Sequence, residues 1–223
     1  MIRIAILISG RGSNMLRLAE VAATMRDDVQ VVLVAANTPC EGLDSAASQK
    51  LPTQLIDRQD YATKSAHETA LAASIDAAGA DWVVLAGYMA ILSAEFVSKF
   101  RNRIINIHPS LLPDLKGLDT HARALAGGHS RHGASVHIVT SLLDDGPILL
   151  QAALAVDDEE SEPQLAARVL ALEHALYPFV MASLARGVLQ IDDAVPRWHQ
   201  GPQALAQAGS GIARVLAPAV IWP

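Results

Sequence analysis

Ile2-Arg3-Ile4-Ala5-Ile6-Leu7-Ile8-Ser9-Gly10-Arg11-Gly12-Ser13-Asn14 decides the fold, because an apolar run ends in a glycine-rich turn and helical spacing follows from Asn14 to Met25. An almost uninterrupted apolar run bounded by turn residues is the pattern of a parallel strand buried on both faces. The turn can then offer backbone N–H groups and a helix N-terminus to an anion, above all a phosphate. The alternative is a turn that only reverses the chain, with Ser13 or Asn14 capping the helix. Arg11 either adds positive charge beside the anion or stands solvated in the loop. A dinucleotide is disfavoured: Met15 stands where the third glycine of that fingerprint belongs, and Ala35-Ala36-Asn37 ends the second strand without an acid.

Working outward, apolar runs recur at Val29–Ala35, Trp82–Ala86 and Ile104–Ile107, with helical spacing at Glu41–Lys50 and Ala62–Ala78. This alternation predicts an α/β fold with a doubly wound, mostly parallel sheet. After His108 the character changes. A turn-rich segment 109–118 leads to a helix over Thr120–Ala126 and β-like runs at Ala134–Thr140 and Ile148–Leu154. A long helix over Glu162–Leu184, opened by Glu162-Pro163, and a short run Val188–Ile191 follow. The expected organisation is a single domain over 1–200, with halves 1–100 and 101–200, and a partly disordered tail over 201–223.

Composition narrows the function. The chain has 223 residues, 51% of them hydrophobic, so a sizeable core is expected. A formal charge of -6 leaves no broad basic face, and a nucleic-acid partner is not expected. Cys40 is the single cysteine and has no internal partner, and Met1-Ile2-Arg3 does not begin a secretory signal, so a cytoplasmic setting is expected. Apolar runs such as Val31–Ala36 are far shorter than a bilayer span, and no membrane segment is expected.

Chemistry is expected at Asn106-Ile107-His108-Pro109. Side chains alternate along a strand, so Asn106 and His108 project together while Ile107 packs on the other face. They fall at the C-terminal end of a predicted parallel strand, where open α/β sheets bind ligands. The alternative is that they satisfy backbone groups at a strand end. Leu142-Leu143-Asp144-Asp145-Gly146-Pro147 offers a carboxylate on a tight loop, which either meets His108 or forms an ordinary turn.

Together, Ile8–Asn14, Ala86-Gly87-Tyr88-Met89, Asn106–Pro113, Gly133-Ala134-Ser135-Val136-His137 and Asp144-Asp145-Gly146-Pro147-Ile148 resemble the phosphoribosylglycinamide formyltransferase family over residues 2–190. The resemblance implies a Rossmann-like formyltransferase fold whose C-terminal half adds antiparallel strands and a long helix. It implies transfer of the formyl group of 10-formyltetrahydrofolate to the amino group of glycinamide ribonucleotide in de novo purine synthesis, without a metal. Asn106, His108 and Asp144 would be catalytic: Asn106 on the developing oxyanion, His108 as acid, Asp144 favouring the imidazolium and ordering a relaying water. Gly12, Ser13, Asn14, Met89 and Glu173 would bind the ribonucleotide. Lys64, Met89, Ala90, Ile91, Leu92, Val97, Ile104, Asn106, Val139 and Thr140 would bind the folate.

Plain core packing equally explains Leu92, Val97 and Ile104, and an exposed helix face would explain Glu173. The segment Leu112–Arg131 resembles a mobile flap, with His121, His129 and His132 read as solvated. Ala90, Leu170 and Lys64 depart from common family residues and are expected to reshape ligand contacts without removing the chemistry. A monomer or homodimer is expected. A formyltetrahydrofolate hydrolase would carry a domain ahead of the strand Ile2–Ile8, and methionyl-tRNA formyltransferase an RNA-binding domain. A non-catalytic nucleotide-binding module would not need Asn106, His108 and Asp144 together.

Overall fold

The computed structural model describes residues 1–157 and 159–223. The chain divides into two compact units, Met1–Asn106 and Ile107–Pro223.

In the first unit, β1 (Ile2–Ile8), β2 (Val29–Ala36), β3 (Thr53–Leu55) and β4 (Trp82–Leu85) alternate with α1 (Ser13–Thr24), α2 (Glu41–Ser48), α3 (Lys64–Ala78) and α4 (Ala94–Lys99). β5 (Ile104–His108) then carries the chain into the second unit. The strands run parallel in the order β5-β4-β1-β2-β3, so the chain winds outward from β1 in both directions. Ile4, Ile6, Leu7 and Ile8 are wholly buried, as a central strand covered on both faces requires. Helix ends are set locally. Thr63 caps α3 by accepting from the Ala66 N–H at 3.1 Å, and Gly79 closes it in the left-handed conformation.

The second unit contains α5 (Thr120–Ala126), β6 (Arg131–Ile138), β7 (Ile148–Ala155), α6 (Glu162–Ala185), β8 (Leu189–Asp192), β9 (Val195–Trp198), α7 (Gly201–Ala206), α8 (Ser210–Leu216) and β10 (Val220–Ile221). β6, β7 and β10 pair antiparallel in that order, and β8 with β9 forms a separate hairpin. α6 opens with a capping box between Ser161 and Gln164. By length and apolar composition it could cross a membrane, but Leu165, Val169, Leu172, Leu176, Val180 and others along it are buried in the unit. Its apolar character is therefore that of a core helix.

The segment beyond 200 differs from the expected disordered tail. α7, α8 and β10 form there, and Trp222 packs edge-on against Trp198 at 4.9 Å and against Phe179 at 6.3 Å between ring centroids. Small residues hid these elements, because their order comes from the aromatic cluster and the free edge of β7, both distant in sequence.

Candidate active site

In the first unit the turn between β1 and α1 forms a cradle. Gly12 sits at φ 73, ψ 27 at the helix N-terminus, and no side chain caps it. A Cβ on Gly42, the second residue of α2, would lie 2.6 Å from the Gly10 carbonyl oxygen, so glycine there lets α2 close onto the loop. The N-terminus of a twelve-residue helix, uncapped by any side chain, favours an anion. Ser13 and Asn14 open that helix, and Arg11 is exposed beside it.

Ser9 adds a link that the sequence reading missed. Its hydroxyl donates to Asn37 Oδ1 at 2.7 Å and accepts from the Met89 N–H at 2.8 Å, while the Ser9 N–H donates to the Gly87 carbonyl. The ends of β1 and β2 and the loop after β4 are thus tied by one hydroxyl. The available signal was a polar residue ending each of two apolar runs, Ser9 and Asn37.

The loop after β4 leaves Met89 and Ile91 exposed and Ala90 half-buried. Leu92 and Val97 are 8% exposed and Ile104 1%, so all three are buried in this unit. Lys64 starts α3 with an exposed side chain 3.8 Å from Glu68. Glu68 is buried and accepts from the Ser93 N–H at 3.0 Å, tying α3 to the start of α4. Burial, and secondarily the Glu68 charge, push the Tyr88 phenol well above its usual range. It is a neutral donor at ordinary pH.

β5 places Asn106 half-buried, in register with Leu85, and His108 buried two residues on, on the same side of the strand. In the second unit His108 Nε2 donates to the Leu115 carbonyl at 3.0 Å, and Nδ1 lies 3.5 Å from Asp144 Oδ2. Asp144 adopts φ 47, a left-handed conformation that Asp tolerates, and its Oδ2 accepts from the Gly117 N–H at 3.0 Å. The next residue, Asp145, pairs with Lys116. His108 and Asp144, read separately in the sequence, therefore meet.

A further histidine joins them. His137 Nδ1 donates to the Ile138 carbonyl at 2.9 Å, and Nε2 faces Asp144 Oδ1 at 3.7 Å. Burial, outweighing the backbone bond and the Asp144 charge, lowers its pKa. Ser135 and His137 are alternate residues of β6, the same polar pair within an apolar run that marked Asn106 and His108. In the sequence the pair stands within the Gly133–His137 motif, with no role assigned to His137.

The segment expected as a mobile flap is fastened at many points. Thr120 Oγ1 donates to the Pro109 carbonyl at 2.7 Å, Ser110 Oγ to the Asp114 carbonyl at 2.7 Å, and Arg123 Nη1 to the Lys116 carbonyl at 2.6 Å. The reading of its histidines as solvated needs correction at His132. That ring is 1% exposed and lies 3.1 Å from His121 Nδ1, and burial with the neighbouring His121, His129 and His108 lowers its pKa to about 4. β6 is buried on both faces from His132 to Ile138, which puts the ring indoors. His129 is half-buried.

Val139 and Thr140 follow β6, half-buried, and Thr140 hydrogen-bonds with Leu142. Glu173 is 7% exposed within α6, which excludes the exposed-face explanation for an acid there. Burial, and secondarily the Glu173 charge, push the Tyr177 hydroxyl pKa well above its usual value. Leu170 is half-buried on the same helix. Among the described residues no group of three or more His, Cys, Asp or Glu could hold a metal ion.

Residues 2–181 match the formyl transferase family. A phosphoribosylglycinamide formyltransferase of Escherichia coli (strain K12) is 41% identical over 191 residues, covering 85% of this chain and 90% of that one. One from Haemophilus influenzae is 34% identical over 192 residues, 86% of this chain and 91% of that one. Among solved structures, glycinamide ribonucleotide transformylase 1 from Symbiobacterium toebii superposes with a TM-score of 0.84 at 38% identity, covering 89% of this chain and 94% of that one.

Proposed function

The chain belongs to the phosphoribosylglycinamide formyltransferase family, and from that premise we propose that it moves the formyl group of 10-formyltetrahydrofolate onto the amino group of glycinamide ribonucleotide. The products are formylglycinamide ribonucleotide and tetrahydrofolate. The observation that carries this reading is the His108–Asp144 contact of 3.5 Å at the end of β5, with Asn106 on the same side of that strand.

The amine nitrogen attacks the formyl carbon, and the carbonyl electron pair moves to oxygen. The intermediate carries negative charge on that oxygen and positive charge on the attacking nitrogen. Asn106 and His108 supply the donors that stabilise the oxygen. As the bond from the carbon to N10 of the folate breaks, the proton lost by the attacking nitrogen must reach N10, and Asp144 is the base beside which such a relay passes. His108 Nε2 already points its N–H at an acceptor. For Nε2 to serve substrate, the Leu115 carbonyl that now accepts from it must withdraw, so the segment around Leu115 shifts as substrates enter.

The ribonucleotide phosphate occupies the Gly12-Ser13-Asn14 cradle, supported by its uncapped helix N-terminus. Met89 and Glu173 contact the rest of the ribonucleotide. The folate uses the loop from Met89 to Leu92 with Val97, Ile104 and Asn106, together with Lys64, Val139 and Thr140. With Ala90 at the loop and Lys64 at the start of α3, the anionic tail of the folate meets a flexible ammonium here.

The test mixes purified protein with both substrates and follows tetrahydrofolate release, omitting each in turn. Release that requires the ribonucleotide is expected. Equal release without it would assign a formyltetrahydrofolate hydrolase instead, and no release with either would overturn both readings.

A further inference from the structure

Gln151 is a half-buried amide in the middle of β7, between the buried residues Leu149, Leu150, Ala152 and Ala153. A polar side chain there needs partners, since an amide buried unpaired is destabilising. It has them across the sheet. Ser135 stands opposite it on β6, and Gln151 Nε2 donates to Ser135 Oγ at 2.7 Å and to the Leu112 carbonyl at 2.9 Å.

The Ser135 hydroxyl is then fully used. It accepts from Gln151 and from the Leu112 N–H at 3.0 Å, and it donates to the Ser110 carbonyl at 2.6 Å. One donor and two acceptor sites are all that a hydroxyl has. Both backbone polar groups of Leu112 are held by this pair, and Leu112 itself is buried. The Ser110 N–H in turn donates to the His108 carbonyl at 2.9 Å. Three residues past Leu112 lies the Leu115 carbonyl that receives His108 Nε2.

The backbone of Gln151 is itself braced from the far side. Ile221 of β10 is its register partner, and the Ala153 N–H donates to the Ala219 carbonyl at 2.9 Å. Trp198 Nε1 donates to the Leu149 carbonyl at 2.9 Å. The C-terminal segment therefore turns what would be an edge strand into an interior one.

We infer that Gln151 is a positioning residue for formyl transfer: its amide, with Ser135, fixes the turn at Ser110–Leu112 as the hinge from which His108 and the Leu115 segment are set. It touches no reacting atom. This inference rests on the formyltransferase reading. The geometry puts a rigid anchor at Leu112, while the segment that must move lies beyond it. Without the anchor, the ring of His108 and the carbonyl that releases it lose their common reference.

The test is Gln151→Met, which keeps the volume and removes both hydrogen bonds, with Gln151→Asn as a milder variant should the first fold poorly. Wild-type protein run in parallel checks the underlying reading, because inactivity there indicts the function and not the role of Gln151. In the folded variant kcat is expected to fall between about ten- and a hundredfold, the cost of a misplaced group about 1 Å from its productive position. The KM for glycinamide ribonucleotide should stay within about twofold, because the phosphate cradle is untouched. Independently of activity, the His108 imidazole signal in 13C-histidine-labelled protein should move. A lowered melting temperature with wild-type kcat and an unmoved His108 signal would overturn the inference, leaving Gln151 a packing residue.

Discussion

His108 has an acceptor at each ring nitrogen, the Leu115 carbonyl at 3.0 Å and the Asp144 carboxylate at 3.5 Å. The ring is thus held between a backbone acceptor and a carboxylate. Removing either partner in the proposed chemistry should therefore be costly. His108→Ala and Asp144→Asn are expected to lower kcat by about a hundred- to ten-thousandfold. Ribonucleotide affinity, measured by calorimetry, should change by less than about threefold, since the cradle lies on other residues. Wild-type turnover in either variant would refute the roles. His132 makes a different statement. Its folded pKa of about 4 lies below the ordinary 6.5, so the unfolded chain binds the proton more readily between those values. The sign follows: this contribution is complete above pH 6.5 and is lost as pH falls toward 4, by at most about 3 kcal/mol. The slope of melting temperature between pH 7 and 5 should flatten in His132→Gln, and an unchanged slope would exclude His132 as its source.

Among the elements, β10 and the aromatic cluster carry the largest surprise. Trp198 stacks on Phe179 at 5.8 Å and meets Trp222 edge-on at 4.9 Å. Gly201 approaches the Trp222 ring so closely that a Cβ would lie 2.4 Å from it. Trp222→Ala should cost roughly 2 kcal/mol, less than a wholly buried tryptophan because Trp222 is only half-buried. That predicts a melting temperature lower by about 4–8 °C, read by differential scanning calorimetry. No change would mean that the C-terminal segment does not brace β7. The segment from Leu112 to Arg131 shows the opposite balance. Its turn residues mark a flap, and Thr120, Ser110 and Arg123 tie it at three points. Glycine and proline report where regular structure stops, and they say nothing of the side-chain bonds that then hold the chain.

The whole molecule has the Rossmann-like formyltransferase fold, a mostly parallel sheet with added antiparallel strands and a long helix. Binding of substrate to the native state alone should stabilise all of it. Glycinamide ribonucleotide at a hundred times its Kd is expected to add about 2.7 kcal/mol, so the melting temperature should rise by roughly 5–10 °C. Inorganic phosphate at the same concentration should give a smaller rise, and no rise with the ribonucleotide would exclude the cradle as its site. The alternation of apolar runs with helical spacing was legible from residue order, because burial on both faces leaves a local mark, as in Ile4–Ile8. So was the shared side of Asn106 and His108, a consequence of strand period two. Tertiary structure decided the rest. Only the fold brings Asp144 to His108 and His137, hides His132, and joins Ser9 to Asn37 and Met89. Those meetings depend on which strands become neighbours and how each loop returns, and separation along the chain contains no record of distance across a sheet.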